Sequence, residues 1–131
     1  MNIALIAHDS KKQLMQNLCI AYRGILCKHD LYATATTGRL VEEVTNISIH
    51  KFHAGHLGGV KQLCSQIEQN QIDMLIFLRD AINPKKHEPD VTDIFNLCDM
   101  HNIPFATNLA TAELIIKSLE RGDLGWRDMY R

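Results

Sequence analysis

Three threonine hydroxyls fall within four residues in Leu31-Tyr-Ala-Thr-Ala-Thr-Thr-Gly38, where a short apolar run ends and a glycine closes it. Thr34, Thr36 and Thr37 stand where a strand gives way to a helix, so several N–H groups at the new helix start lack an intrahelical acceptor. Amides, hydroxyls and the positive end of a helix dipole facing one place suit a compact anion. The same residues have a plainer use, with Thr36 or Thr37 as the N-cap of a helix over 38–46.

Other polar groups recur at equivalent places. After the apolar run 2–7 come His8, Asp9 and, one helical turn on, Lys12. After 47–52 comes Ala54-Gly55-His56-Leu57-Gly58-Gly59, whose glycines would let backbone approach a ligand closely. After 73–78 come Arg79 and Asp80, then a loop reaching His87-Glu88-Pro89-Asp90, and after 104–106 come Thr107 and Asn108. Plainer readings exist here too. His8-Asp9 would end a strand and cap a helix, and Pro89-Asp90 would suit a helix start. His50, His53 and His56 are spaced by three on an extended segment, which alternates faces, so no metal site is expected.

The elements that must carry these groups read as five short strands, Asn2–Ala7, Leu31–Thr34, Ile47–Phe52, Asp73–Leu78 and Pro104–Ala106. The first and fourth are nearly continuous apolar runs, as in central strands covered on both faces. Helical patterns lie between them at 11–28, 38–46, 57–70, 89–101 and 111–121. Leu14, Leu18, Tyr22 and Ile25 form one apolar stripe, and Leu57, Val60, Cys64 and Ile67 form another. Strict alternation predicts a three-layer, doubly wound (flavodoxin-like), five-stranded parallel α/β sheet. All strand C-termini then share one edge, where such folds bind ligands.

The chain has 131 residues, 46% hydrophobic and 22% charged, with a formal net charge of −1. That size predicts a single domain over 1–131. The charge balance gives no reason to expect nucleic acid or a membrane surface as partner. Met1 leads straight into a strand, so no signal peptide is expected, and no run is long enough to span a bilayer. Cys19, Cys27, Cys64 and Cys98 stand singly in helical patterns without any C-x-x-C pair, which predicts buried reduced thiols and a cytoplasmic location.

Six segments in order resemble the methylglyoxal synthase family: I-A-L-I-A-H-D-x-x-K (3–12), L-Y-A-T-A-T-T-G (31–38), G-x-L-G-G (55–59), L-I-F-L-R-D (75–80), H-E-P-D-V (87–91) and I-P-x-A-T-N-x-A-T-A (103–112). The resemblance implies a doubly wound domain, a homohexamer, that needs no metal or organic cofactor. It implies a lyase that takes a proton from dihydroxyacetone phosphate, passes through an enediolate and eliminates phosphate to leave methylglyoxal. Lys12, Thr34, Thr36, Thr37 and Gly55 match the family's phosphate-binding positions, with His8 and His56 beside them. His87 matches the histidine that polarises the carbonyl and relays protons. Asp9, Asp80 and Asp90 match acids that order the pocket and are candidate catalytic groups. Arg127 and Arg131 are candidates for the basic C-terminal residues that reach phosphate in the family.

The departures fall in the site. The family pattern is T-G-T-T-G where this chain has Ala35, and G-P-x-G-G-D where it has His56 and Val60; Ala81 replaces the proline after Asp80. The aspartate expected at position 60 is the family's catalytic base, and valine accepts no proton. Two readings follow: a synthase with impaired turnover, or a non-catalytic module that binds a phosphate ligand and has a regulatory role.

Overall fold

β1 (Asn2–Ala7) occupies the middle of the sheet because nearly every residue in it is apolar and both its faces are covered. The computed structural model describes residues 1–53, 58–83 and 92–130. In chain order β1 is followed by a 3-10 turn (Asp9–Lys11), α1 (Lys12–Ala21), α2 (Arg23–Leu26), β2 (Asp30–Ala33), α3 (Ala35–Thr45) and β3 (Ile49–Lys51). Then come α4 (Gly59–Glu68), β4 (Met74–Leu78), α5 (Thr92–Met100), β5 (Phe105–Ala106), α6 (Leu109–Glu120) and a terminal 3-10 segment, Gly125–Tyr130.

All strand pairs are parallel, in the order β3-β2-β1-β4-β5. The chain moves outward from β1 through β2 and β3, then returns to the other side of β1 for β4 and β5. The direction therefore reverses between β1 and β4, and the crevice beyond their C-termini is the expected ligand site of such a sheet. Alternate residues of each strand feed two cores. Ile3, Leu5 and Ala7 pack with Met15, Val41 and Ile116 on the face of α1, α3 and α6. Ala4, Ile6 and Phe77 pack with Leu63, Ile67 and Ile94 on the face of α4 and α5.

Several boundaries differ from the expected ones, for local reasons. The helical pattern 11–28 is two helices, because Tyr22 at φ −109°, ψ 22° leaves helical geometry. That break turns Leu26 rather than Ile25 fully inward, and it leaves Cys27 exposed, against the expectation of a buried thiol. Cys19 and Cys98 are buried, and burial pushes both thiols up to about 12. Ile47 stays out of β3, since its N–H turns back to Thr45 Oγ1 at 3.2 Å. Gly38 lets α3 lie tight on the sheet: a Cβ there would stand 2.9 Å from Lys51 Cγ and 3.4 Å from Ala33 Cβ. Among the described residues, no helix is long and apolar enough to cross a membrane.

Candidate active site

The threonine turn begins its helix three residues earlier than the cap reading requires. Thr34, not Thr36 or Thr37, is the N-cap of α3, extended at φ −65°, ψ 154°, and its carbonyl accepts the Gly38 N–H at 2.8 Å. The Thr34 side chain makes no capping bond. Thr36 and Thr37 lie in the first turn, where their N–H groups precede any intrahelical acceptor. Thr34 and Thr37 are buried, whereas Thr36 is half-buried.

Lys12 ties this turn to β1. It opens α1, and its Nζ donates to Ala7 O at 2.8 Å and to Thr37 Oγ1 at 3.3 Å, with Asp9 Oδ1 at 3.7 Å. An ammonium is thus held against the positive end of a helix by a carbonyl and a carboxylate. One positive charge, hydroxyls and first-turn amides facing one place are groups whose chemistry suits an anion.

At the β1–β4 switch point a second arrangement couples His8 to Asp80. His8 is only 3% exposed, its ring edge-on to Phe77 with centroids 5.3 Å apart. The His8 backbone N–H donates to Leu78 O at 3.0 Å, and the Asp80 backbone N–H donates to the His8 ring Nδ1 at 2.8 Å. His8 Nε2 is buried without a hydrogen-bond partner among the described residues. The Asp80 carboxylate accepts the Asn83 N–H at 2.9 Å, the Ser10 hydroxyl at 2.8 Å and the Ile82 N–H at 3.1 Å. These bonds, the one from Asn83 foremost, hold the carboxyl below its ordinary value. A carboxylate so satisfied is a weak base.

The structure therefore brings His8, Asp9, Lys12, Thr37 and Asp80 to one edge, with Thr34 and Thr36 flanking. Gly55, His56, His87 and Asp90 lie outside the described residues.

The MGS-like domain family model matches residues 16–107. A methylglyoxal synthase from Caldicellulosiruptor saccharolyticus is 61% identical over 129 residues, covering 98% of this chain and 92% of that protein. The chain belongs to the methylglyoxal synthase family. A methylglyoxal synthase from Alkaliphilus metalliredigens is 53% identical over 131 residues, 100% of this chain and 98% of the relative. A crystal structure of methylglyoxal synthase from Elizabethkingia anophelis superposes with a TM-score of 0.85 at 42% identity, over 88% of this chain and 76% of that one.

Val60 is the second residue of α4, behind Gly58 at φ +99°, and it is half-buried against the apolar cluster that includes Ile6, Leu63 and Phe77. It belongs to the helical stripe expected from its spacing with Cys64 and Ile67. Arg127 departs from the expected phosphate role. It is buried at the opposite edge of the sheet, where Nε donates to Asp73 Oδ1 at 3.0 Å and the rest of the guanidinium is engaged. Its partners there are Asn70 Oδ1 at 2.6 Å and the carbonyls of Asn102, His101 and Ile72. Arg131 is outside the described residues.

Sequence reasoning missed Ser10 and Asp73. The signal for Asp73 was present, an acid abutting the fully apolar run 74–78; a buried acid there needs a cation. Nothing in the sequence points Ser10 toward a residue so far along the chain.

Proposed function

We propose that this chain, as a single 1–131 domain, is a methylglyoxal synthase acting on dihydroxyacetone phosphate. A base takes a proton from the hydroxymethyl carbon and the carbonyl becomes an enediolate. The hydroxyl on the deprotonated carbon then gives up its proton to the pocket and becomes the aldehyde carbonyl, the central oxygen takes a proton as the enol, the double bond shifts to the neighbouring carbon–carbon bond and the carbon–oxygen bond to phosphate breaks. The released enol takes a proton on its terminal carbon to give methylglyoxal. The observation that carries this reading is the Lys12 ammonium held between Ala7 O and Thr37 Oγ1 at the start of α3. It supports binding of both the bound phosphate and the departing one. His87 is the proposed polarising and proton-relaying group, and Asp9 and Asp90 are the acids proposed to order the pocket with it, beside Gly55 and His56.

Val60 makes turnover slow in this reading. A positioned base contributes on the order of a hundred- to ten-thousand-fold in rate, and valine supplies none. A steady-state assay of methylglyoxal formation should find wild type slower, by about that factor, than a family member with aspartate at this place. Val60→Asp should regain part of the rate, since an acid at the second position of α4 is favoured by the helix dipole. Ala35, His56 and Ala81 also alter the loops, so the recovery is incomplete. Rapid wild-type turnover would refute this account of Val60. No turnover in either protein, with phosphate binding intact, would instead establish the binding-module reading that Val60 itself favours.

A further inference from the structure

We propose that Asp80 is a positioning residue that holds His8 as a fixed hydrogen-bond donor to the bound ligand. The inference rests on the proposed reading of the site as a phosphate-ligand pocket, and deepens it.

One hydrogen bond and one missing bond define the state of the His8 ring. A backbone N–H can only donate, so the Asp80 N–H at 2.8 Å from His8 Nδ1 requires that nitrogen to be the bare, accepting one. The neutral ring then carries its proton on Nε2. That Nε2–H is buried and has no acceptor among the described residues. A buried donor left unpaired carries a desolvation cost, so this N–H is better satisfied when an oxygen of a ligand enters the crevice. Its place at the β1–β4 switch point is where a ligand of this fold is expected.

The Asp80 carboxylate faces away from that task. It gathers the Ile82 and Asn83 N–H groups into a turn and takes the Ser10 hydroxyl from the turn before α1. Both sides of the switch point are thereby pinned, one through each end of the same residue. The carboxyl fixes where the β4 exit loop runs, and this fixes where the Asp80 N–H points. Lowering of the Asp80 carboxyl by these same bonds agrees with a tether rather than a proton carrier.

The test uses the full chain with nitrogen-labelled histidine, near neutral pH, and His8→Gln to assign the signal. His8 should show a bare Nδ1 and a protonated Nε2. A ring protonated on Nδ1, or on both nitrogens, would overturn the proposal. Inorganic phosphate and 2-phosphoglycolate are then titrated by calorimetry into wild type, Asp80→Ala, Asp80→Asn and Ser10→Ala. Asp80→Ala should mix the two His8 tautomers and weaken binding about tenfold, the worth of one hydrogen bond of about 1.4 kcal/mol. Asp80→Asn, whose amide can keep the turn and the Ser10 contact, should rescue both readouts. Ser10→Ala should move them the same way by less, and stands in if Asp80→Ala does not fold. Unchanged tautomer and affinity in the alanine variants would refute the positioning role while the phosphate pocket stands. Wild type that binds neither probe would refute the pocket reading itself, and the donor role with it.

Discussion

Lys12 is the residue whose loss should be felt most directly. Its ammonium is the positive charge that spans β1 and α3, and a hydrogen bond to a charged group is worth about 1.5–3 kcal/mol. Lys12→Met should therefore weaken binding of inorganic phosphate by about ten- to a hundredfold in a calorimetric titration. Lys12→Arg should not restore it, because a planar fork cannot reproduce a compact ammonium seated on Ala7 O. Equal affinity in the methionine variant would remove Lys12 from the cradle. That Lys12 and the threonines share one sheet edge was legible in the sequence because each lies beside a strand end, where chain order and spatial order coincide. Asp80 was legible at the same edge but not in its contacts. Its bonds to Ser10 and His8 cross 70 and 72 residues of chain, a distance over which type and spacing carry no signal. Arg127 misled for the same reason: a C-terminal arginine in the sequence shows a charge, while its buried partner lies 54 residues away.

The elements divide by what set their ends. β1 matches the reading of its sequence at both ends, since an apolar run bounded by Asn2 and His8 leaves no other choice of register. α3 starts earlier than expected because Ala35 is a good helix former and Thr34 caps through its backbone carbonyl, a role any residue type fills. The interruption at Tyr22 had no proline to announce it, and Gly24, the glycine beside it, lies inside α2 rather than at the break. The terminal 3-10 segment, Gly125–Tyr130, owes its place to Arg127, which fastens it to Asp73 at the foot of β4 and to the turn before β5. Asp73 is fully buried and also accepts the Asn2 N–H at 2.8 Å. Removing one partner of a buried ion pair typically costs about 3–5 kcal/mol, since the other charge stays behind. Arg127→Met should lower the urea midpoint accordingly without changing the slope. Adding Asp73→Asn should recover part of the loss, as the stranded charge goes. A midpoint within error of wild type would mean that the clamp contributes nothing net.

For the molecule as a whole, strand–helix alternation was enough to predict a parallel three-layer sheet, because few topologies survive right-handed crossovers and two-sided burial. The assembly is a separate matter. Membership of this family supports a closed homo-oligomer, proposed as a hexamer, with isologous or ring-closing contacts. Sedimentation at micromolar concentration should give a species several times the 14.9 kDa of one chain. A single species at that mass would refute it.

The sheet itself sets a limit on how copies can meet. Its outer strands, β3 and β5, are three and two residues long, and β3 carries Lys51. A rim with so few open rungs is a poor template for a second chain, and a charged lysine on it discourages edge-on pairing further. Lateral growth into continuous fibrils is thus discouraged by the outline of the sheet. In the proposed oligomer, contacts between copies would fall to helices and loops, whose shapes permit closed assemblies.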